Sequence, residues 1–252
     1  MSLYIIGLGL WDEKDISFKG LQVAKNCEEV YLENYTSILF GTNLSKISSF
    51  IGKNIIPLNR KAVEQDKIFL KNAKEKDVAL LVGGDPLSAT THMEIISEAK
   101  KLGIKVKIIH NASIYTAVAQ SGLFLYKFGK ACSIPFWQDN FKPTSFYDII
   151  VENQKIKAHT LVFLDLKPEE NKFMTINQAL EILLQIGKER KKEINEETLV
   201  IGLARMGSEN QCIKVEKIKN LINFDFGLPL HILVIPGELN SIEEEFLKMY
   251  LL

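Results

Sequence analysis

The residue types best suited to chemistry follow short apolar segments of the chain. Residues 7–10 read GLGL, residues 83–92 read GGDPLSATTH, and residues 110–115 read HNASIY. Glycines allow a backbone to turn sharply and to approach a ligand closely. Asp85 could meet a ribose hydroxyl or a cation, and the free N–H groups at a helix start after residue 110 could hold a polar group. The pattern predicts one ligand site built from three loops.

The elements that must position these loops form an α/β layer structure. Near-continuous apolar segments predict strands covered on both faces, as in a parallel sheet, at residues 3–8, 29–33, 54–58, 77–82 and 104–110. Helical patterns lie between them, one capped by Asp15, one at residues 61–74 and one at residues 88–102, where Ser88 can cap and Gly103 follows. In open sheets of this kind ligands bind beyond the carboxyl ends of the strands.

The second half of the chain has longer gaps between strands, which allow antiparallel pairing. A helix is predicted over residues 111–121, with Asn111 as its cap, and it connects the first half of the chain to the second. Strands are predicted at residues 131–136, 160–164, 198–204 and 230–235, and helices at residues 145–157, 175–188, 214–222 and 241–250. Thr175 with Gln178 and Ser241 with Glu244 match capping boxes. We therefore predict two α/β domains, residues 1–110 and 111–252, with the ligand in the cleft that they share.

Composition excludes several classes of protein. Lys+Arg and Asp+Glu both number 31 in 252 residues, so a basic excess of the kind that nucleic-acid binding needs is missing, and the basic cluster at residues 188–192 is interpreted as a helix end. Cys27, Cys132 and Cys212 are too few and too scattered for a disulfide framework or a zinc knuckle. No apolar segment reaches the ~20 residues of a membrane span, and no signal peptide is recognisable. A soluble cytoplasmic protein without a metal is expected.

Competing motifs are incomplete. A dinucleotide fingerprint would need a third glycine at position 12, where Asp12 stands instead and would repel a pyrophosphate. The P-loop, a helical His pair for zinc and the G-x-S-x-G nucleophile elbow are all missing from the sequence.

The combination of motifs resembles the diphthine synthases, which share the two-domain fold of the tetrapyrrole methylases. The resemblance runs from Leu3 to about Leu247 and is most specific in GDP-x-x-ATTH, in NASIY and in LYKFG at residues 125–129, with further matches at residues 35–37 and 203–207. It implies an S-adenosylmethionine-dependent methyltransferase, usually a homodimer. The implied substrate is a histidine of translation elongation factor 2 that bears a 3-amino-3-carboxypropyl arm, whose amine is methylated repeatedly. Carried over by position, the implied cofactor contacts are Leu10, Asp85, Ser88, Ser113, Ile114, Leu164, Met206 and His231.

The catalytic residue stays unidentified from the sequence. The amine must lose its proton before it attacks the methyl group, and the side chains in motif segments that could take it are Tyr35, His92, Tyr126 and Asp165. His110 and His159 are interpreted as structural, and Glu33 could touch substrate. A tetrapyrrole or ribosomal-RNA methylase on the same scaffold, a binding protein without turnover and a nicotinamide oxidoreductase remain as alternatives.

Overall fold

A computed structural model describes residues 1–35, 38–190 and 193–252. These residues form two compact units, Met1–Ile114 and Tyr115–Leu252. Residues 36 and 37 of the motif at 35–37, and residues 191 and 192 of the basic cluster, lie outside the described residues. None of the helices in the described part of the chain is long and apolar enough to span a bilayer.

The first unit contains a five-stranded parallel sheet in the order β3-β2-β4-β1-β5. Its strands are β1 Ser2–Gly7, β2 Glu29–Glu33, β3 Ile55–Leu58, β4 Val78–Val82 and β5 Lys105–Ile109. Every residue of β4 is buried, and an apolar cluster packs on each face of the sheet, so the predicted two-sided burial is confirmed. The parallel arrangement brings the carboxyl ends of these strands to one edge.

The predicted helices of the first unit begin later than the sequence indicates. The helices are α1 Phe18–Asn26, α2 Leu44–Ile51, which the sequence does not predict, α3 Ile68–Asn72 and α4 His92–Lys101. A short helix, α5 Ile114–Ala117, begins at the last residue of this unit. Ser17, and not Asp15, caps α1, since its side chain accepts from the Gly20 amide. The helix expected over residues 61–74 is broken, because Lys67 has a φ of 48° between a π-helical turn and α3.

Ser88 does not cap a helix, and this part of the prediction is wrong. Ala89 has a φ of 55°, which interrupts any helix that starts at residue 88, so α4 starts at His92. The predicted end of α4 holds, because Gly103 follows it with a φ of 74°.

The second unit contains a mixed five-stranded sheet in the order β11-β10-β12-β7-β6. Its strands are β6 Cys132–Ile134, β7 Thr160–Leu164, β10 Leu199–Ala204, β11 Cys212–Lys217 and β12 His231–Ile235. The β6–β7 pair is parallel and the other pairs are antiparallel, as the longer gaps allow. A short hairpin of β8 Leu166–Lys167 and β9 Lys172–Phe173, which the sequence did not predict, follows β7.

The helices of the second unit are α6 Ser145–Lys155, α7 Ile176–Glu189, α8 Ile218–Leu221 and α9 Ser241–Leu247. The helix predicted at residues 214–222 is wrong in its first half. Ile213 and Val215 alternate with more exposed neighbours and belong to β11. The box of Thr175 with Gln178 is confirmed, whereas the second box uses Asn240 with Glu243, one residue earlier than predicted.

Candidate active site

The loops that follow β1, β4 and β5 meet at the carboxyl edge of the first sheet. The Leu8 amide donates to the Val82 carbonyl at 2.8 Å, and the Gly84 amide donates to the Gly9 carbonyl at 2.7 Å. A Cβ on Gly7 would lie 2.5 Å from the Gly84 carbonyl oxygen, a distance that side chains do not tolerate. Gly7 is therefore needed to bring the two loops together, in addition to any contact with a ligand.

Asp15 fixes the loop that carries Leu10. Its Oδ2 accepts hydrogen bonds from the Leu10 amide at 3.2 Å and from the Trp11 amide at 2.7 Å. Asp12 caps the short 3-10 turn that contains Asp15, where a dinucleotide fold would have its third glycine. Leu10 itself is half-buried, and its backbone is held by side-chain and loop contacts that the sequence pattern did not reveal.

Asp85 joins the loop after β4 to the end of β5. Its Oδ1 accepts from the Leu87 amide at 2.9 Å and from Ser88 Oγ at 3.4 Å. Its Oδ2 accepts from His110 Nδ1 at 2.8 Å and from the Asn111 amide at 3.1 Å. Burial acts to raise the pKa of Asp85, but these hydrogen bonds outweigh it and lower the pKa, so the side chain is a carboxylate at neutral pH.

Asn111 is a second loop-fixing residue and not the helix cap that the sequence predicts. Its Nδ2 donates to the Gly7 carbonyl and to the Asp15 carbonyl, both at 2.9 Å. The helix that follows is α5, which begins at Ile114. Ser113 is buried beside Gly84, where a Cβ on that glycine would be 3.7 Å from the Ser113 Cβ.

The first unit thus brings its five implied contacts to one sheet edge. Gly84 has a φ of 68°, and it lies against Ser113, because a Cβ built on it would be in ordinary contact with the Ser113 Cβ at 3.7 Å. Backbone N–H groups, a carboxylate and small side chains at such a sheet edge fit the ribose and amino-acid groups of a nucleoside-type methyl donor. The five residues at this edge are Leu10, Asp85, Ser88, Ser113 and Ile114.

The second unit brings its three implied contacts to one edge of its own sheet. Leu164 ends β7 and Met206 follows β10, while His231 begins β12, which runs antiparallel to both strands. His231 pairs directly with Ala204 at the end of β10. All three implied contact residues are nearly buried, with exposed fractions between 4% and 7%.

The His231 ring is used within the second unit. Its Nδ1 accepts from the Ile176 amide at 3.3 Å, so its Nε2 carries the proton and donates to the carbonyls of Gly227 and Leu228, both at 3.2 Å. Burial lowers the pKa of His231, and the imidazole is neutral at physiological pH. Both ring nitrogens hold the protein's own backbone.

Two of the four candidate bases are engaged in internal contacts. Asp165 accepts from the Phe136 amide at 2.8 Å and from the Leu166 amide at 2.9 Å, which ties β7 to the loop after β6. His92 is buried; its Nδ1 donates to the Pro86 carbonyl at 2.8 Å and its Nε2 lies 2.5 Å from Glu33 Oε2. These contacts give both residues a structural role, Asp165 at the end of β7 and His92 at the start of α4.

The two tyrosines differ in exposure. Tyr35 is buried, and burial together with the charges of Glu33 and Glu64 raises its pKa far above the usual range, so its phenol stays protonated at neutral pH. Tyr126 is 82% exposed and its ring stacks on Phe124 at 5.3 Å between centroids. The geometry supplies no reason to assign either tyrosine as a base.

His159 is structural within the described residues, whereas His110 is at the candidate site. His159 is fully buried, accepts from the Gly237 amide at 2.9 Å and contacts Glu243 at 3.0 Å. His110 is 66% exposed and its Nδ1 donates to Asp85 Oδ2, so its ring lies beside one of the residues that the resemblance implies as a cofactor contact. The sequence does contain a signal for this position of His110, because the residue ends a predicted strand and directly precedes a predicted ligand loop.

A family comparison places the chain in a class of enzymes. The family model for tetrapyrrole (corrin/porphyrin) methylases matches residues 2–222. The chain therefore belongs to the tetrapyrrole methylases. These enzymes use S-adenosylmethionine as methyl donor, and the chain is an S-adenosylmethionine-dependent methyltransferase.

Individual relatives narrow the class. The chain is 47% identical to the diphthine synthase of Methanocaldococcus jannaschii over 251 residues, covering 98% of this chain and 97% of the relative. It is 46% identical to the diphthine synthase of Methanothermobacter thermautotrophicus, covering 97% and 94%. A crystal structure of a diphthine synthase superposes with a TM-score of 0.90 at 38% identity, covering 100% of this chain and 96% of that one.

Within the class, the chain belongs to the diphthine synthases. It carries out S-adenosylmethionine-dependent methylation in diphthamide biosynthesis. The alternative of a tetrapyrrole or ribosomal-RNA methylase on the same scaffold is not favoured, because the relatives that match over nearly the full length are diphthine synthases.

Proposed function

We propose that this enzyme methylates the amine of a 3-amino-3-carboxypropyl arm carried by a histidine of translation elongation factor 2. The observation that carries the proposal is the 47% identity to a diphthine synthase across 98% of the chain. The segments NASIY and LYKFG, on which the resemblance rests, lie within that span. A homodimer that acts in the cytoplasm, without nucleic acid, belongs to the same proposal.

The residues proposed to contact the methyl donor act mainly through loops that the fold holds in place. At the edge of the first unit these are Leu10, Asp85, Ser88, Ser113 and Ile114. Leu10 and Asp85 are themselves fixed by hydrogen bonds, so they can present backbone and carboxylate groups with little loss of conformational freedom on binding. At the edge of the second unit they are Leu164, Met206 and His231, of which His231 acts through its backbone and ring faces because its nitrogens are engaged.

The chemistry needs alignment more than it needs a catalytic base. S-adenosylmethionine supplies a methyl group on a sulfonium. Attack of the amine lone pair on that methyl carbon would form the N–C bond, break the C–S bond in line and release the neutral thioether. The chain contributes orientation of both partners and the exclusion of water. The amine must be neutral, and a free α-amino group titrates at about 7.7–8.0. Since His92 and Asp165 are engaged in the protein, we propose that this proton leaves to solvent before transfer.

A labelled-methyl assay tests the proposal. Purified enzyme and methyl-labelled S-adenosylmethionine are incubated separately with elongation factor 2 that carries the precursor arm, with unmodified elongation factor 2, with uroporphyrinogen and with ribosomal RNA. We expect label only in the precursor-bearing factor. Label in uroporphyrinogen or RNA, with none in the factor, would overturn the substrate assignment while leaving the methyltransferase activity in place.

A further inference from the structure

Arg205 ties together two loops of the second unit. It follows β10 directly, and its guanidinium donates from Nη1 to the carbonyls of Phe226 and Leu228, at 2.5 Å and 2.6 Å, and from Nε to the Asn210 carbonyl at 3.0 Å. Its own amide donates to the Leu230 carbonyl at 2.8 Å. The loop after β10 and the loop before β12 are therefore held by one side chain.

These loops carry two of the residues proposed to contact the methyl donor. Met206 is the next residue in the chain, and His231 follows the loop that Arg205 holds. The Leu228 carbonyl accepts from both Arg205 Nη1 and His231 Nε2, at 2.6 Å and 3.2 Å. The charge of Arg205 also helps to keep the pKa of His231 low, so the imidazole stays neutral.

The backbone is adapted to this arrangement. Arg205 has a φ of 53°, a conformation that a non-glycine residue keeps only where its surroundings enforce it. Gly227 has a φ of 72°, and a Cβ there would lie 3.2 Å from Arg205 Nη1. The guanidinium therefore packs against a glycine that has no side chain to displace it.

The three carbonyls that accept from the Arg205 side chain lie in two loops, Asn210 in the loop after β10 and Phe226 and Leu228 in the loop before β12. A guanidinium presents five N–H donors in a rigid planar fork, whereas a lysine offers three donors from one flexible point. A lysine can keep the charge at this place, but it cannot hold the three carbonyls in the same geometry. The arrangement therefore depends on the planar guanidinium of arginine as well as on its positive charge.

We propose that Arg205 is a positioning residue for the methyl-donor site. It sets the loops at residues 206–211 and 226–230 so that Met206 and His231 can contact S-adenosylmethionine. The inference rests on the proposed role of those two residues as cofactor contacts. It assigns Arg205 no contact with the donor itself and no part in proton transfer.

Calorimetry on two variants tests this role. We expect Arg205→Lys and Arg205→Ala to raise the dissociation constant of S-adenosylmethionine by about tenfold or more, since several hydrogen bonds of a charged donor are lost. The KM for precursor-bearing elongation factor should stay the same. Arg190→Lys is the control, because that arginine donates to Asp148 and Thr144 and lies over the Tyr147 ring, none of which belongs to the two loops, so this variant should bind the donor like the wild type.

A measurement on the unaltered enzyme covers the case in which a variant does not fold. Hydrogen–deuterium exchange with and without S-adenosylmethionine should show added protection at the Arg205 amide and across residues 226–231. Equal affinity in a folded Arg205→Lys enzyme, or no added protection in the wild type, overturns the inference. Failure of the wild type to bind S-adenosylmethionine would instead overturn the proposed function.

Discussion

The carboxylate of Glu33 and the imidazole of His92 form a buried pair, with 2.5 Å between Oε2 and Nε2. The Pro86 carbonyl accepts a hydrogen bond from Nδ1, so both ring nitrogens are hydrogen-bonded. Burial alone would lower the pKa of His92, but the hydrogen bond and charge of Glu33 outweigh it and raise that pKa. The pair connects the end of β2 to the loop that carries Asp85, which accounts for the histidine of the GDPLSATTH motif without a catalytic role.

Removing one partner of this pair should destabilise the first unit. Glu33→Gln leaves a buried imidazole without its carboxylate, and we expect a loss of roughly 3 kcal/mol in the free energy of unfolding. The folded state raises the pKa of His92. The pair therefore makes its full contribution to the free energy of unfolding below the unfolded pKa of about 6.5, and this contribution is lost as the pH rises through the folded pKa. Urea unfolding from pH 6 to pH 9 should show that the difference in stability between the variant and the wild type becomes smaller as the pH rises.

Glu152→Gln, in an exposed pair with Lys130, is the control and should change the stability little. An equal loss of stability in both variants would contradict the assignment.

Glu243 should make the second unit sensitive to acid. It is fully buried and accepts from the amides of Phe124 and Asn240 and from Lys127 and His159. Burial acts to raise its pKa, but these donors lower it to about 2 from an ordinary value of 4.5. A carboxylate with a lowered pKa stabilises the fold above its unfolded pKa and loses that contribution as the pH falls toward 2, here roughly 3 kcal/mol.

The test compares urea unfolding between pH 6 and pH 2 in the wild type and in Glu243→Gln. We expect the wild type to be the more stable protein at pH 6 and the two curves to converge near pH 2. Glu238→Gln, whose carboxylate is exposed beside Lys157, should follow the wild type. A constant difference across the whole range would show that Glu243 does not titrate as proposed.

Gly7 should be needed for the approach of the loops after β1 and β4. A Cβ there would lie 2.5 Å from the Gly84 carbonyl and 2.9 Å from the Asn111 Cβ, so Gly7→Ala must separate the loops. We expect a more than tenfold weaker affinity for S-adenosylmethionine by calorimetry, together with a lower melting temperature. Gly103→Ala is the matched control, since its φ of 74° costs about 1–2 kcal/mol for alanine but nothing lies within 4 Å of the new Cβ. Donor affinity lost to the same extent in both variants would mean that strain, and not loop contact, is responsible.

Asp85 should affect the affinity for S-adenosylmethionine because its hydrogen bonds join the loop after β4 to the end of β5. Asp85→Asn keeps the size of the side chain but replaces an acceptor oxygen by a donor, so it cannot accept from Leu87, His110 and Asn111 together. We expect at least tenfold weaker binding of S-adenosylmethionine. Because the folded state lowers the pKa of Asp85 below 3.8, the wild-type affinity should not change through titration of this group between pH 8 and pH 5. Asp139→Asn, at an exposed position, should bind normally.

The sequence predicts the layer structure because apolar segments and caps are local signals. The strands of the first sheet and the box of Thr175 with Gln178 follow from patterns within a few residues. The prediction of one helix at residues 61–74 is wrong because Lys67 adopts a left-handed conformation, which the residue type lysine does not predict. The sequence around β11 predicts a helix instead of a strand, because six residues are too few to distinguish the two-residue period of a strand from the helical period.

The candidate site is less predictable, because its geometry depends on contacts between distant residues. The motifs locate Asp85 and Gly7, but the roles of Asn111 and Asp15 depend on hydrogen bonds across separate loops. Arg205 gives no local signal, since its three side-chain acceptors are backbone carbonyls, two of them more than twenty residues away. The residue type alone therefore does not reveal in the sequence which side chains hold the backbone in place; their position in the fold does.

Mass spectrometry of the acceptor histidine tests the central claim most directly. Elongation factor 2 carrying the 3-amino-3-carboxypropyl arm is incubated with the enzyme and S-adenosylmethionine, and the peptide containing that histidine is fragmented. We expect methyl groups to be added successively to the amine nitrogen of the arm, and the fragments also count these groups and show whether the carboxylate becomes a methyl ester. An unmodified arm, in the presence of folded enzyme shown by calorimetry to bind S-adenosylmethionine, would contradict the account.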